Sequence, residues 1–231
     1  MAEPLAFRVV RGGLLVAASS YFNILFGTQR SADENLLREG RLHDKICFVG
    51  KVMIDMLLRH REWALQRPVL ERFDAAPGEY VLVTLHRPRN VDDAAKLTAI
   101  VEALSLVRER LSVIFPVHPR TRNRLKEFGL LERAMDLLGA RLRELLGHLE
   151  LLHLMARGRV VLTDSGGIQE ETTIPGVRCL TLRPVTERPA TVTVGSNWVI
   201  DSAPERVVPE VERIPGLLIA VSSPRGYHHL C

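Results

Sequence analysis

Short apolar segments alternate with amphipathic helical segments from about Gly78 to Ile214, and this alternation limits the chain to few folds. Five apolar runs have the length of buried strands: Tyr80–Leu85, Val113–Val117, Leu142–Leu146, Val160–Thr163 and Val177–Leu182. Between and after them, apolar residues recur at helical spacing in Asp92–Arg110, in Arg120–Gly129, through Leu149–Met155 and in Ala203–Ile214. Strands that alternate with helices pair in parallel and are covered on both faces. The pattern therefore predicts α/β architecture, a Rossmann-like parallel sheet with helices on both faces.

The first part of the chain has a different pattern. It predicts a serine-capped helix at Ser31–Gly40, a strand at Ile46–Val49 and a helix at Val52–Arg67. These elements are too few for an independent domain. We expect residues 1–65 to be part of a preceding domain and an inter-domain region, and residues 66–78, which hold two prolines, to be a linker. Residues 79–214 would form the Rossmann-like domain, and residues 215–231 an unstructured tail.

Composition excludes some classes of function. The formal net charge is +4 and the pI about 9.2, which permits an anionic ligand. Aromatic residues make up only 5% of the chain and do not alternate with basic residues, so a nucleic-acid-binding surface is not expected. The sequence has no apolar run of about 18 residues, so we expect no membrane span. The short apolar stretch Gly12–Ser20 resembles a signal peptide only weakly. Cysteines without metal-ligand spacing predict no metal site.

The cysteines also bear on the compartment. Cys47 and Cys179 lie inside apolar runs, which predicts buried free thiols in a reducing cytoplasm.

The segment Leu162–Glu171 is the most informative for function. A short apolar strand ends in the polar turn Asp164–Gly167, and a segment with Glu170 and Glu171 in its first turns follows. A strand–loop–helix unit of this kind presents backbone N–H groups to phosphate, and adjacent glycines let a ligand approach closely. One of the two glutamates could accept hydrogen bonds from ribose hydroxyls. The same residues are equally compatible with a plain turn and a capped helix, and they match neither a Walker loop nor a GxGxxG fingerprint.

Ligand-capable residues follow four of the predicted strands. They are His86 and Arg87; His118 and Arg120; Asp164–Gly167; and Arg183, Glu187 and Arg188. Carboxyl ends of parallel strands meet at one edge of an open sheet, where ligands bind. Histidines, arginines and a Ser-Gly-Gly turn at that edge point to an anionic, phosphorylated ligand. The alternative is a set of loop residues with local capping roles.

Together these segments resemble the signature segments of the non-hydrolysing UDP-N-acetylglucosamine 2-epimerase family, in the family's order. The matching segments are Val83-Thr-Leu-His-Arg-Pro-Arg-Asn-Val-Asp92, Pro116-Val-His-Pro119, Leu162-Thr-Asp-Ser-Gly-Gly-Ile-Gln-Glu-Glu171 and Thr186-Glu-Arg-Pro189. Asn35–Gly40 and Val49–Asp55 resemble the inter-domain region, so the likeness covers about residues 22 to 210.

The resemblance implies a fold and a reaction. The family has two Rossmann-like domains in the GT-B arrangement, of which this chain would contain the C-terminal one. It interconverts UDP-GlcNAc and UDP-ManNAc by loss of the C2 proton, elimination of UDP and re-addition of UDP. No cofactor is implied. A second UDP-GlcNAc activates many members, and members are commonly homodimers.

The resemblance also implies roles for single residues. Ser165, Gly166 and Gly167 would hold the diphosphate, Glu171 the ribose, and Arg188 would add positive charge. His86 would be the catalytic histidine. The loop from Leu146 to Leu151 would face the uracil, and Arg87 and His118 would meet the activating nucleotide. For His118 a structural role in the turn between Pro116 and Pro119 is an open alternative.

Departures from the family qualify the expected activity. The family's proton-transfer carboxylates lie in an N-terminal domain that this sequence largely lacks, so we expect a truncated member. Lys51 stands where the family usually has asparagine, and His148 where it usually has tyrosine. A UDP-sugar-binding module without catalysis and a fragment of a GT-B glycosyltransferase are the alternatives to an epimerase.

Overall fold

The structure is a computed structural model of the chain, and it describes residues 23–138, 142–143, 146–200 and 204–214. The apolar stretch Gly12–Ser20 and the predicted tail, residues 215–231, lie outside the described residues. The chain divides into two compact units, with the division between Val52 and Met53. The domain boundaries expected from the sequence stay a prediction.

The first unit contains a small parallel sheet. Strand β1 (Leu25–Gly27) pairs with β2 (Ile46–Phe48), and Leu25, Phe26 and Gly27 lie beside Ile46, Cys47 and Phe48. Helix α1 (Arg30–Arg38) and a 3₁₀ turn (His43–Lys45) connect the two strands.

The second unit holds the remaining elements. Its strands are β3 (Tyr80–Thr84), β4 (Ser112–Pro116), β5 (Leu142–Arg143), β6 (Val160–Thr163), β7 (Arg178–Thr181) and β8 (Asn197–Val199). Its helices are α2 (Val52–Leu65), which starts at the division, α3 (Pro88–Val91), α4 (Ala94–Arg108), α5 (Pro119–Glu127), α6 (Leu131–Leu138), α7 (His148–Arg157), α8 (Gly166–Thr173), α9 (Pro189–Thr193) and α10 (Pro204–Arg213). A 3₁₀ turn, Leu70–Phe73, lies between α2 and β3.

All pairings in the sheet of the second unit are parallel, and the strand order is β5-β4-β3-β6-β7-β8. This is the strand order of the doubly wound Rossmann fold, in which the direction of winding reverses between the two central strands. Here the central strands are β3 and β6, and Thr84 lies beside Thr163 at their carboxyl ends. Ligands of such sheets bind in the crevice at that reversal point.

Two apolar cores cover the two faces of this sheet. Val81 and Val83 of β3 belong to a core built with α4, α5, α6 and α10, while Tyr80 and Leu82 belong to one built with α2, α7 and α8. Successive side chains of a strand point to opposite faces, and therefore a strand between two helical layers is apolar throughout. The predicted parallel sheet with helices on both faces is confirmed.

The sequence placed most elements within a few residues, and the exceptions are short or edge elements. Strands β1 and β8 and helices α3, α6 and α9 were not predicted, and of the third predicted strand the structure describes Leu142–Arg143 as strand. The prediction of a serine cap at Ser31 is wrong, because α1 starts at Arg30 and Gln29 is its cap residue. Val69 and Phe73, in the predicted linker, are buried in the second core.

The prediction for the cysteines is half right. Cys179 is a buried free thiol in β7, and burial raises its pKa to about 12. Cys47 is an exposed free thiol, because β2 is a short strand that pairs with one strand among the described residues and its three side chains are half-buried or exposed. Among the described helices, none is long and apolar enough to cross a membrane.

Candidate active site

The carboxyl ends of β3 and β6 are joined by side-chain hydrogen bonds at the reversal point of the sheet. The hydroxyl oxygens of Thr84 and Thr163 are 2.7 Å apart, and the backbone N–H of Ser165 donates to the Thr163 hydroxyl at 3.0 Å. Threonine supplies both a β-branched side chain suited to a strand and a hydroxyl for the turn that follows. These bonds fix the start of the loops that hold His86 and Ser165.

Asp164 is the most heavily bonded side chain of the site. Its carboxylate is fully buried and accepts from the backbone N–H groups of His86, at 3.1 Å, and Arg87, at 2.9 Å. The amide of Asn90 donates both to Asp164, at 3.2 Å, and to the carbonyl oxygen of Leu182, at 2.9 Å. A buried carboxylate is stable only when its oxygens accept hydrogen bonds. This one ties the ends of β3, β6 and β7 together.

The His86 ring lies beside the same carboxylate. Its Nδ1 atom is 3.2 Å from Asp164 Oδ1, an ion-pair distance at which the ring N–H is not aligned for a hydrogen bond, and 36% of its side chain is exposed. Because a carboxylate oxygen attracts an N–H group and repels a nitrogen lone pair, we assign the proton of the neutral ring to Nδ1, which leaves Nε2 without a proton. The ring of His118 lies 5.5 Å from that of His86, centre to centre. His118 also caps α5, since its Nδ1 accepts from the Arg120 N–H at 3.2 Å.

Arg87 and Arg120 follow the two histidines closely in the sequence, but their side chains have different surroundings. Arg120 is turned toward Asp92, with Nη2 and Oδ2 2.5 Å apart, and this hydrogen bond holds the pKa of Asp92 below its usual value. Arg87 is half-buried, and its Nε has no hydrogen-bond partner in the described part of the chain.

The glycine turn begins helix α8. Ser165 is the cap residue in an extended conformation, and its side chain does not cap the helix. The N–H groups of the first turn of a helix have no partner within the helix, so those after Ser165 are available to an anion. A Cβ atom placed on Gly167 would lie 3.7 Å from Glu171 Oε1 and 3.9 Å from Ser165 Oγ. On Gly166 it would lie 3.9 Å from Arg188 Nε and 4.0 Å from Arg183 Nη1.

Charged side chains surround this turn on both sides. Arg188 Nε is 3.1 Å from Glu170 Oε1, a distance for an ion pair, although the N–H is not aligned for a hydrogen bond. Glu171 is half-buried, and burial raises its pKa while the nearby His148 lowers it. The two glutamates therefore differ: Glu170 is paired with an arginine, and Glu171 lies beside Gly167.

Gln169 connects the glycine turn to the loop that carries Arg188. Its side-chain N–H donates to the Ser165 carbonyl at 3.2 Å, and its oxygen accepts from the Thr186 hydroxyl at 2.5 Å. The Thr186 hydroxyl in turn accepts from the Arg188 N–H at 2.9 Å. Because Gln169 is fully buried, these bonds place Arg188 relative to the turn.

Leu146 and Leu151 lie on either side of the start of α7. Both side chains pack against the core that α7 and α8 share, and the Leu151 N–H bonds to the Gly147 carbonyl at 3.0 Å. The charge interaction between His148 and Glu171 places this helix start close to the glycine turn.

The structure thus brings together His86 and His118, and separately gathers Ser165, Gly166, Gly167, Glu171 and Arg188 around one turn. Sequence reasoning placed Asp164 among the ligand-capable residues but did not predict that it holds the loop of His86, and it missed the supporting roles of Asn90 and Gln169. Their positions inside the motifs were visible, but a buried polar side chain at a strand end cannot be distinguished from an exposed one without the fold. No group of three or more candidate metal ligands occurs within residues 23–138, 146–200 and 204–214.

Comparisons with known proteins identify the family to which this chain is similar. Residues 16–222 match the family model described as UDP-N-acetylglucosamine 2-epimerase. A UDP-N-acetylglucosamine 2-epimerase of Methanocaldococcus jannaschii is 40% identical over 199 residues, which are 84% of this chain and 54% of that protein. A Pseudomonas aeruginosa UDP-2,3-diacetamido-2,3-dideoxy-D-glucuronate 2-epimerase is 39% identical over 189 residues, 80% of this chain and 51% of that protein.

A solved structure extends the likeness to three dimensions. The crystal structure of the M. jannaschii UDP-GlcNAc 2-epimerase with UDP-GlcNAc and UDP has a TM-score of 0.74 at 39% identity, covering 83% of this chain and 54% of that one. The class of the fold is therefore a Rossmann-like parallel sheet that corresponds to the C-terminal part of a GT-B architecture. The chain belongs to the UDP-N-acetylglucosamine 2-epimerase family. It spans about half the length of the curated relatives it matches.

Asp164 should fix the tautomer of His86. At a pH where the ring is neutral, long-range ¹H–¹⁵N correlation spectra should show the proton on Nδ1. In Asp164→Asn the side-chain amide can donate to Nδ1, so the proton should move to Nε2. Asn90→Ala is the control, because it removes one donor and keeps the carboxylate; each variant should cost about 1–3 kcal/mol of stability. An Nε2 proton in the unmodified chain would contradict this arrangement.

Proposed function

We propose that the chain provides the nucleotide-binding side of an epimerase that interconverts UDP-GlcNAc and UDP-ManNAc. The observation that carries the proposal is the uncapped glycine turn of α8 at the reversal point of the sheet, next to His86 and the arginines of the following loop. Rossmann-like sheets bind nucleotides at that point, and a helix start favours the diphosphate. Family membership supports the choice of UDP-sugar.

Each residue around the turn has a proposed role. The Ser165 hydroxyl and the backbone of Gly166 and Gly167 hold the diphosphate, because the glycines let it approach the N–H groups. Glu171 accepts from the ribose hydroxyls, and Arg188 adds positive charge beside the phosphates. The loop from Leu146 to Leu151 meets the uracil through backbone groups, which fits the closeness of His148 to Glu171.

His86 assists the departure of the diphosphate. As the C2 proton is removed, the C1–O bond to UDP breaks and 2-acetamidoglucal forms. UDP then re-forms its bond to C1 while a proton adds to the opposite face of C2, which gives the epimer. A proton on Nε2, gained by the ring, would stabilise the charge on the departing oxygen, and Asp164 would stabilise the charged ring. We propose no cofactor, because elimination and re-addition balance without one. The residues that move the C2 proton would lie in the other domain of a GT-B pair.

The second nucleotide and the oligomer are separate proposals. Arg87 and His118 would meet a UDP-GlcNAc activator, and the 5.5 Å spacing of the two histidine rings would put it beside the catalytic site. The Arg87 Nε, buried without a partner in the described chain, is an available donor for such an anion. A homodimer is proposed from family membership alone.

A second candidate substrate follows from the relatives. The P. aeruginosa protein is named for a UDP-diacetamido-glucuronate. It is 39% identical to this chain, and the M. jannaschii UDP-GlcNAc epimerase is 40% identical. The uridine diphosphate is common to both sugar nucleotides.

Two other functions would give different results. Binding of UDP without turnover would indicate a UDP-sugar-binding module, and transfer of the sugar to an acceptor would indicate a glycosyltransferase.

Substitution of Gly167 should test the diphosphate site. Calorimetry with UDP should show the weakest binding for Gly167→Asp, by about tenfold or more, because its carboxylate would repel phosphate. Gly167→Asn is the matched control, since it has nearly the same shape without the charge. A Cβ atom at this position meets nothing closer than 3.7 Å, so both variants should fold. Equal affinity of the Asp and Asn variants for UDP would contradict charge repulsion as the cause of weaker binding. Wild-type affinity in both variants would show that the glycine turn does not bind the diphosphate.

The pH dependence of binding should reveal Glu171. Burial raises its pKa, so the carboxylate that accepts from ribose should ionise at higher pH than an exposed glutamate. Affinity for UDP-GlcNAc, whose phosphates do not titrate near neutrality, should rise as the pH rises through that pKa. Glu171→Gln should bind about tenfold more weakly at neutral pH and lose this pH dependence.

The effect of Glu171 on the free energy of unfolding should be opposite to its effect on UDP-GlcNAc affinity. A raised pKa means that Glu171 favours the folded state at low pH, and that this contribution is lost as the pH rises through the folded pKa. Glu171→Gln should therefore melt higher than the wild type at neutral pH while binding less. A variant that lost both stability and affinity would indicate a structural role for the carboxylate.

A further inference from the structure

Arg183 follows strand β7 and lies over the glycine turn, with only 16% of its side chain exposed. Its Nη2 is 3.3 Å from Glu187 Oε1. Its Nη1 is buried and has no hydrogen-bond partner among the described residues. The same Nη1 is 4.0 Å from a Cβ atom placed on Gly166, so the donor is close to the start of α8.

A buried charged donor without an acceptor is costly. Nearly all buried polar atoms in folded proteins have partners, and an unmade hydrogen bond to a charged group weakens the folded state. Such a donor is retained where a ligand supplies the acceptor. The planar guanidinium presents parallel N–H groups that match phosphate oxygens better than any other side chain.

Comparison with Arg188 distinguishes the two arginines at the turn. Arg188 has a buried counter-charge, because Glu170 lies 3.1 Å from its Nε and only 9% of the Glu170 side chain is exposed. The counter-charge of Arg183 is Glu187, of which 60% is exposed, and an exposed pair of this kind is weak and screened by solvent. Both arginines have a buried nitrogen without a hydrogen bond, but the Arg188 Nε faces the buried Glu170 carboxylate, whereas the Arg183 Nη1 faces the start of α8 and its only ion pair among the described residues is with an exposed glutamate.

We propose that Arg183 binds a phosphate group of the nucleoside diphosphate directly, through Nη1, beside the N–H groups of the glycine turn. The inference rests on the proposed function and names a ligand of the same site. Arg188 then acts mainly through its charge and its pair with Glu170. The alternative is a purely structural Arg183 that holds the Glu187 loop, and that role would affect all ligands alike.

A ligand series separates these two roles. NMR-detected titrations of the full chain with uridine, UMP and UDP measure how much each phosphate adds to affinity. In Arg183→Met, affinity for UDP should fall about tenfold or more, while affinity for uridine should stay within about twofold. Arg183→Lys should lie between the two, because it keeps the charge and loses the planar pair of donors. Melting curves identify any variant that does not fold, in which case the lysine variant carries the test.

Glu187→Gln is the matched control for the loop. It weakens the contact between Arg183 and Glu187 and should leave UDP affinity equal or higher, since a negative charge near the site is removed. Wild-type UDP affinity in the methionine variant would overturn the proposal, as would equal losses for uridine and UDP. A wild-type chain that bound neither uridine nor UDP would overturn the proposed function as well. Failure of the Arg183 proposal alone can therefore be distinguished from failure of the proposed function.

Discussion

The buried carboxylate of Asp164 is the interaction on which the site depends. It accepts from the two backbone N–H groups that follow β3 and from Asn90, which also bonds to the end of β7. Without these donors a fully buried carboxylate would be strongly destabilising. The hydrogen bonds to this one carboxylate thus fix the ends of three strands, the position of His86 and the start of the glycine turn.

The two parts of the proposed site would have different roles. Asp164 lies beside a histidine whose second nitrogen would take part in proton transfer, and the uncapped start of α8 would offer N–H groups to an anion. Hydrogen bonds of Gln169 and Thr186 link the glycine turn to the loop that carries Arg188. A buried hydrogen-bonded network of this kind holds donors in fixed positions, as the proposed stabilisation of a departing diphosphate requires.

Much of this fold could be predicted from the sequence, because long strands buried on both faces and long helices have strong periodicity. Strand β6 was placed at its observed bounds, and β3 and β4 within one residue. Short elements such as β1 and β8 carry too few residues for a periodic signal, and tertiary packing decides them. The exposed Cys47 shows the same limit, since apolar neighbours in the sequence do not reveal how much of a short strand is exposed. The positions of the site residues followed from strand ends, whereas the pairing of Arg188 with Glu170 and the buried donor of Arg183 required side-chain geometry.

A crystal structure of the chain with UDP is the most direct test of a nucleotide site at the reversal point of the sheet. Phosphate oxygens should lie about 3 Å from the backbone nitrogens of Gly166 or Gly167, as N–H donors require. The ribose should contact Glu171, and the ring of His86 should face the diphosphate. Bound UDP whose phosphates lay away from the start of α8, or turned to solvent, would contradict the site described for this chain.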